Sequence, residues 1–371
     1  TTPSPILSGL VGSEMCIRDS LMPIVLLLIT PPVLFLGLCV GPVAITPTEV
    51  LSQLPYLLSS QSPVDPDLMS SYPIIRELRL PRTLLAWLVG GGLALSGAAM
   101  QGLFRNPLAD PSIIGVTSGA SLGASVAVVI IGPQIDVWLG LSGLVFGAFS
   151  GGLMAVLIVY RLASETPLSV KTGLLSGQGT SVATMLLVGI AITALAGAAN
   201  SALSFIADNE TLRRISLWNM GGLDGANDQR LILGVFIILP AMFIVWRSHR
   251  SLDALLLGES EAHYLGVNVS HLKRLLIVMV ALAVATSVAL AGVIGFVGLV
   301  VPHLLRLVVG PSHRQLILCS ALAGGILLVL ADVLARSLVS PAELPVGVVT
   351  AVLGAPFFIL LLRQRRGYGL Q

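Results

Sequence analysis

The chain has 371 residues, of which 55% are hydrophobic and only 10% charged, and its mean hydropathy is +0.95. A soluble domain carries about a quarter charged residues, so the composition excludes one and defines a polytopic membrane protein. The net charge of +2 gives no sign of a nucleic-acid partner, and none is expected, because the basic residues sit at the ends of apolar runs and form no continuous stripe. The five His and three Cys are too few and too scattered for a metal cage or a disulfide framework, and no metal site is expected.

Residues 1–20, TTPSPILSGLVGSEMCIRDS, lack membrane character, and the LVGSEMCIRDS portion resembles a translated adapter read-through. They are read as non-native sequence and set apart from a single transmembrane domain over 21–371. Ten apolar stretches follow, at about 21–41, 83–104, 112–132, 137–160, 184–205, 230–246, 274–293, 295–309, 316–335 and 345–362. A helix needs roughly 20 residues to cross the hydrocarbon core, so an all-α bundle of ten crossings is predicted. With the C-terminal Arg363, Arg365 and Arg366 inside, the basic residues concentrate on that side, which puts both termini in the cytoplasm.

The first outer loop, 42–82, opens with Thr46-Pro47-Thr48-Glu49, a capping box with proline at the first helical position, and predicts a short helix to about Leu58. Pro81 is expected to start the second crossing. Two glycine ladders, Gly115/Gly119/Gly123 and Gly143/Gly147/Gly151, repeat every fourth residue and predict two closely packed helices at the centre of the bundle. Gly119-Ala120-Ser121-Leu122-Gly123 also matches the GxSxG pattern, but a nucleophile elbow needs a strand-turn-helix context and a triad. Here the pattern lies within a helical ladder, and packing is the preferred reading over an intramembrane serine hydrolase.

In the fifth crossing, Thr193, Gly197, Asn200, Ser201 and Ser204 form one small, polar face that either glues helices or lines a translocation path. The outer loop 206–229 offers Asp208 as an N-cap, Gly221-Gly222 as a stop and Trp218 at the interface.

The segment 251–270, SLDALLLGESEAHYLGVNVS, interrupts two crossings with two short helices. One closes at Gly258 and the other at Gly266, with Glu259 and Glu261 in the first turn of the second. Ser270 is expected to cap the next crossing. Flanking Arg247, Arg250, Lys273 and Arg274 place this knob in the cytoplasm, where it is either a solvated loop or a contact for a partner. Beyond it, Gly292, Gly295, Gly298 and Pro302 predict broken or half-length helices enclosed by protein. His303 there is assigned a hydrogen bond to a freed backbone group. Charged residues are nearly absent inside the crossings, Asp332 and Arg336 lying close to an outer end, which weakens an ion-coupled secondary transporter. A channel or carrier remains the rival class. No GxxxxGK[ST] loop occurs, so the chain does not bind and hydrolyse ATP in the P-loop manner.

Four stretches carry a family resemblance. They are LRLPRTLLAWLVGGGLALSGAAMQGLFRNPLADPSIIGVTSGASLG (78–123), LGESEAHYLGVNV (257–269), GFVGLVVPHLLR (295–306) and ADVLARSLVSPAELPVGVVTAVLGAPFF (331–358). In order and over nearly all of 21–366, the chain resembles the FecCD-type permeases, the membrane subunits of ABC importers for iron-siderophores, haem and vitamin B12. The resemblance implies a bundle like that of the vitamin B12 permease in a bacterial inner membrane. It implies a homodimer, two ATP-binding subunits below and a periplasmic substrate-binding protein above. No cofactor is implied on this chain, since ATP and Mg would be used by the partner ATPase. Gly258, Glu259, Glu261, Ala262, Leu265 and Gly266 match coupling helices that seat in the ATPase. Arg79, Arg82 and Arg336 match groups that pair with carboxylates of the binding protein. The PAELPVGVVTAVLGAPFF ending and GPSHR look most similar to haem permeases, with ferric siderophore or cobalamin as alternatives. SETPLSVKTGLLSGQGTSVA (164–183) is longer and more polar than the family pattern.

Overall fold

The computed structural model describes residues 5–59, 66–132, 143–164, 182–339 and 342–367, with the backbone alone for 5–20, 58, 66–67, 182 and 360–367. Most of the polar segment 164–183 and the side chains of Arg363, Arg365 and Arg366 lie outside the described residues. The described chain is helical throughout. Seven helices are long and apolar enough to cross a membrane: Leu21–Cys39, Ile74–Leu103, Gly143–Ser164, Ala183–Ile206, Asp228–Arg247, Val269–Ala291 and His313–Ser337. Three shorter apolar helices, Val116–Ile131, Val297–Val309 and Val346–Ile359, fill the remaining predicted positions. The first crossing is part of one helix, Pro5–Cys39, that begins within the segment set apart above.

Leu80–Leu103 forms the axis, buried along almost its whole length and packed against His313–Ser337, Val269–Ala291 and Val297–Val309. Its glycines explain the closeness of these approaches. A Cβ on Gly90 would lie 2.3 Å from the Gly324 carbonyl oxygen, and one on Gly324 would lie 2.4 Å from that of Gly90. Without a hydrophobic force between helices in lipid, backbone contact of this kind is what holds them.

The two predicted glycine ladders do interlock. A Cβ on Gly123 would sit 2.1 Å from the Gly147 oxygen, and one on Gly151 2.4 Å from that of Gly119. Gly115 departs from the ladder, because its φ of +80° ends the short 3-10 turn Pro111–Ile114. Gly143 is buried at the start of its helix. The expected central position of this pair is corrected: Gly143–Ser164 is only half buried, whereas the Ile74–Leu103 crossing is enclosed on nearly every side. Ladder spacing reports a tight pair, and enclosure depends on how many other helices surround that pair.

Local capping signals are realised closely. The Thr46 N–H donates to the Glu49 carboxylate (3.0 Å) and the Glu49 N–H to the Thr46 hydroxyl (3.3 Å), opening Pro47–Ser59. Asp208 accepts from the Thr211 N–H at the start of Asn209–Asn219, and Gly221 turns the chain at φ +73°. Pro81 lies at the start of the α-helix Leu80–Leu103, as expected, with a π-helical turn, Ile74–Arg79, running into it. Two expectations are corrected. Asn268, not Ser270, caps Val269–Ala291 by accepting from the His271 N–H at 3.0 Å. Pro302 does not interrupt Val297–Val309, and the break lies earlier, between Ala291 and Val297.

Candidate functional site: an inner knob, an outer arginine cluster and a split polar face

The knob consists of His249–Leu257 and Glu259–Tyr264, separated at Gly258 with φ +137° and closed at Gly266 with φ +83°. A side chain at Gly258 would meet the movable carboxylate end of Glu261, so it is the positive φ that calls for glycine there. Two side-chain clamps hold the knob to the bundle. Asp253 accepts from both the His313 N–H and its ring Nδ1, each at 2.8 Å, and so caps the exposed N–H groups that start His313–Ser337. Burial pushes the Asp253 carboxyl up, but the hydrogen bonds from His313 and the nearby His313 and His249 rings outweigh it and hold the group below the ordinary carboxylate range. Its contribution to stability is therefore in place above that range and is lost only as pH falls below it. In the second clamp, the buried Lys273 ammonium donates to both oxygens of Glu259 at 2.8 Å.

The six knob residues singled out from the sequence separate into two groups. Glu261, Leu265 and Gly266 are exposed, whereas Gly258 and Ala262 are buried and Glu259 is turned toward Lys273. Ala262 and Gly258 thus support the knob from within. Leu257 and Tyr264 were not singled out, yet with Leu265 they project three large apolar side chains, 68%, 88% and 64% exposed, from a charged segment. Asp253 and His313, 60 residues apart, carried no local signal that they would pair.

At the opposite end the three predicted arginines are engaged within the chain. Arg79 is buried, and its guanidinium donates to the carbonyls of Leu38 and Cys39 at 2.7 Å and to that of Val43, tying the end of the first crossing to the second. Arg336 lies buried with its Nε 3.0 Å from Asp332 Oδ2, an ion-pair contact without good hydrogen-bond alignment, and donates to the Gly37 carbonyl at 3.2 Å. Arg82 reaches both Asp332 (2.9 Å) and the half-exposed Glu343 (2.7 Å). The expected set of three exposed docking groups is thus corrected for Arg79 and Arg336, which face the interior. Solvent is met at the rim, by Glu343 and by the Arg76–Asp228 pair at 3.1 Å.

The polar face of Val182–Ile206 divides in the same way. The Thr193 hydroxyl lies 3.1 Å from that of Ser118, and Asn200 accepts from Ser125, so these two residues bind the helix to Val116–Val126. Ser121 on that same helix donates to Asn219 at 2.7 Å, and its helical context excludes a nucleophile elbow. Gly197 and Ser201 face outward, and a Cβ at Gly197 would meet nothing within 4 Å. Ser201 and Ser204 return their hydroxyls to the carbonyls of Gly197 and Asn200 on their own helix. Among the described residues, no three His, Cys, Asp or Glu side chains converge so as to hold a metal ion. His303 is buried in Val297–Val309.

An enclosed helical bundle, with a knob clamped at two points and an ionic cluster at the far end, defines an integral-membrane permease. The chain belongs to the FecCD transport family, whose pattern matches residues 26–364. It is 47% identical over 291 residues to the hemin transport system permease protein HmuU of Yersinia pestis, covering 78% of this chain and 83% of that one. To the cobalamin import system permease protein BtuC of Halobacterium salinarum it is 45% identical over 294 residues, covering 79% and 74%. Its fold matches a solved metal-chelate type ABC transporter in an inward-facing conformation with a TM-score of 0.74 and 33% identity, covering 92% of this chain and 98% of the other.

Proposed function

We propose that this chain is the membrane subunit of an ATP-driven importer that brings an iron-containing chelate, haem in the first instance, into the cytoplasm by alternating access. Two copies would enclose the path, with two ATP-binding subunits on the knob side and a substrate-binding protein at the ionic rim. The observation that carries the reading is the knob. Exposed apolar side chains on a small charged element suit a partner's groove, and two clamps, an ion pair and a hydrogen-bonded cap, join that element to the helices Val269–Ala291 and His313–Ser337. Movement imposed on Leu257, Tyr264 and Leu265 would pass through Lys273 and His313 into the bundle rather than dissipate in a loop. At the outer face the proposed contacts centre on Glu343, Arg76 and Asp228, which reach solvent, with Arg82 held behind Glu343 and 12% exposed. The outward Gly197 and Ser201 are proposed to face the path between the copies.

Haem is preferred on the similarity to the hemin permease, and cobalamin is the second reading on an identity only slightly lower. Uptake into vesicles holding the chain with its ATP-binding subunits and binding protein, compared for haem, a ferric siderophore and cobalamin, tests both. Cobalamin uptake without haem uptake would reverse the order, and uptake by the chain alone, without an ATPase, would overturn the importer. Leu265→Asp is expected to cut co-purification of the ATP-binding subunit at least tenfold while leaving the chain's unfolding temperature within about 2 °C, because the side chain is exposed in the isolated subunit. Undiminished co-purification would remove Leu265 from the contact.

A further inference from the structure

The break before Val297–Val309 holds a residue in a backbone conformation that its side chain disfavours. Phe296 has φ +68°, a region in which a bulky residue is an outlier, found where the surrounding structure over-determines it. Gly295, next to it, is exposed and faces open space. The other non-glycine residue with positive φ among the described residues, Arg105, lies in an exposed turn. Phe296 instead stands between two cavities and contributes to the wall of each. One, of about 510 Å³, is apolar, with Leu26, Val300, Leu327, Leu353 and Phe357 in its walls. The other, of about 350 Å³, is bordered by Asp110, Ser112, Thr117 and Gly295.

The last helix presses on this ring. A Cβ on Gly354 would lie 2.4 Å from Phe296 Cβ and 2.6 Å from its Cγ, so the backbone of Val346–Gly367 rests directly against the base of the side chain. Two turns earlier the same helix is anchored beside the break. The Gly347 N–H donates to the Gly221 carbonyl at 3.2 Å, and a side chain at Gly347 would collide with the carbonyls of Met220 and Val293. The anchor and the contact are about 10 Å apart along the axis, so a small tilt of the helix about Gly347 shifts Gly354 relative to the ring.

We propose that Phe296 is a gate between the two cavities, held shut by Gly354 and released when Val346–Gly367 tilts. The strained φ favours departure from the closed position once the contact loosens, and the two spaces then join. The inference takes its purpose from the permease reading, but its geometry stands independently of any substrate.

The test uses thiol labelling of the full-length chain in lipid nanodiscs, with Cys16, Cys39 and Cys319 replaced by alanine and Thr350→Cys added. Thr350 is 4% exposed and lines the apolar cavity. A charged, membrane-impermeant thiol reagent is excluded from apolar walls, and slow labelling is expected with Phe296 present. Phe296→Ala and Phe296→Gly should each accelerate labelling at least tenfold. The glycine variant should also unfold at a higher temperature than the alanine variant, because it alone relieves the positive φ. A parallel protein that keeps native Cys319, which is buried at 0% exposure, reports general loosening. Rates unchanged within twofold in both Phe296 variants, or equal acceleration at Cys319, would overturn the gate. Since labelling needs neither ATP nor substrate, this result is independent of the uptake comparison.

Discussion

Gly97→Ala is expected to remove most of the folded protein. A Cβ at this position would fall 1.7 Å from the Gly298 carbonyl oxygen and 2.5 Å from its carbonyl carbon, and these are backbone atoms of the half-length helix, with no flexible side-chain end to move aside. Overpacking typically costs about 1–3 kcal/mol, occasionally more, and a collision with backbone at the centre of Leu80–Leu103 belongs at or above the top of that range. Gly197→Ala is the matched control. Its Cβ meets nothing within 4 Å, so the change should stay within about 0.5 kcal/mol. Monodisperse protein recovered in detergent and its unfolding temperature measure both variants, and similar behaviour of the two would refute the packing account.

Asp332→Ala is the second large effect. Asp332 is 1% exposed and faces two guanidinium groups, those of Arg82 and Arg336. Removing one partner from a buried ionic group leaves uncompensated charge and costs about 3–5 kcal/mol. The penalty arises from the stranded arginines, which makes a distinctive prediction. Replacing Arg82, Asp332 and Arg336 together with leucine should recover most of the stability that the single change loses, because well-packed apolar side chains often equal or exceed a buried ionic group. A triple variant no more stable than Asp332→Ala would show that the loss comes from elsewhere. The triple variant should nonetheless lose the outer ionic rim, since Glu343 keeps no cationic partner there.

The fold was legible wherever its cause was local. Thr46 and Glu49 are three residues apart and satisfy each other's backbone partners, and Asp208 does the same for Thr211. Expectations failed where the local signal was ambiguous. Ser270 and Asn268 are both good caps, and only the actual path of the chain chose Asn268. In the candidate site, the sequence located the knob and the arginines without their orientation. Ala262 looks like a small contact residue until its neighbours enclose it. Arg79 looks like an exposed terminal charge until the carbonyls of Leu38 and Cys39 reach it from 41 and 40 residues away.

By itself, the sequence determined that the chain lives in a membrane, how many apolar helices it has, which turns stop them and which glycines allow close approach. Hydropathy, capping and φ preference act over a few residues and can be read along the chain. Only the tertiary structure decided which helix is enclosed, that Asp253 clamps His313, that Arg82 shares Asp332 with Arg336, and that Phe296 is pressed by Gly354. Those pairings span from 4 to 250 residues, and their choice depends on which faces meet when helices pack. Between apolar helices that choice is set by backbone proximity and by the need of each buried charge for a partner, and neither is written in any single stretch of the chain.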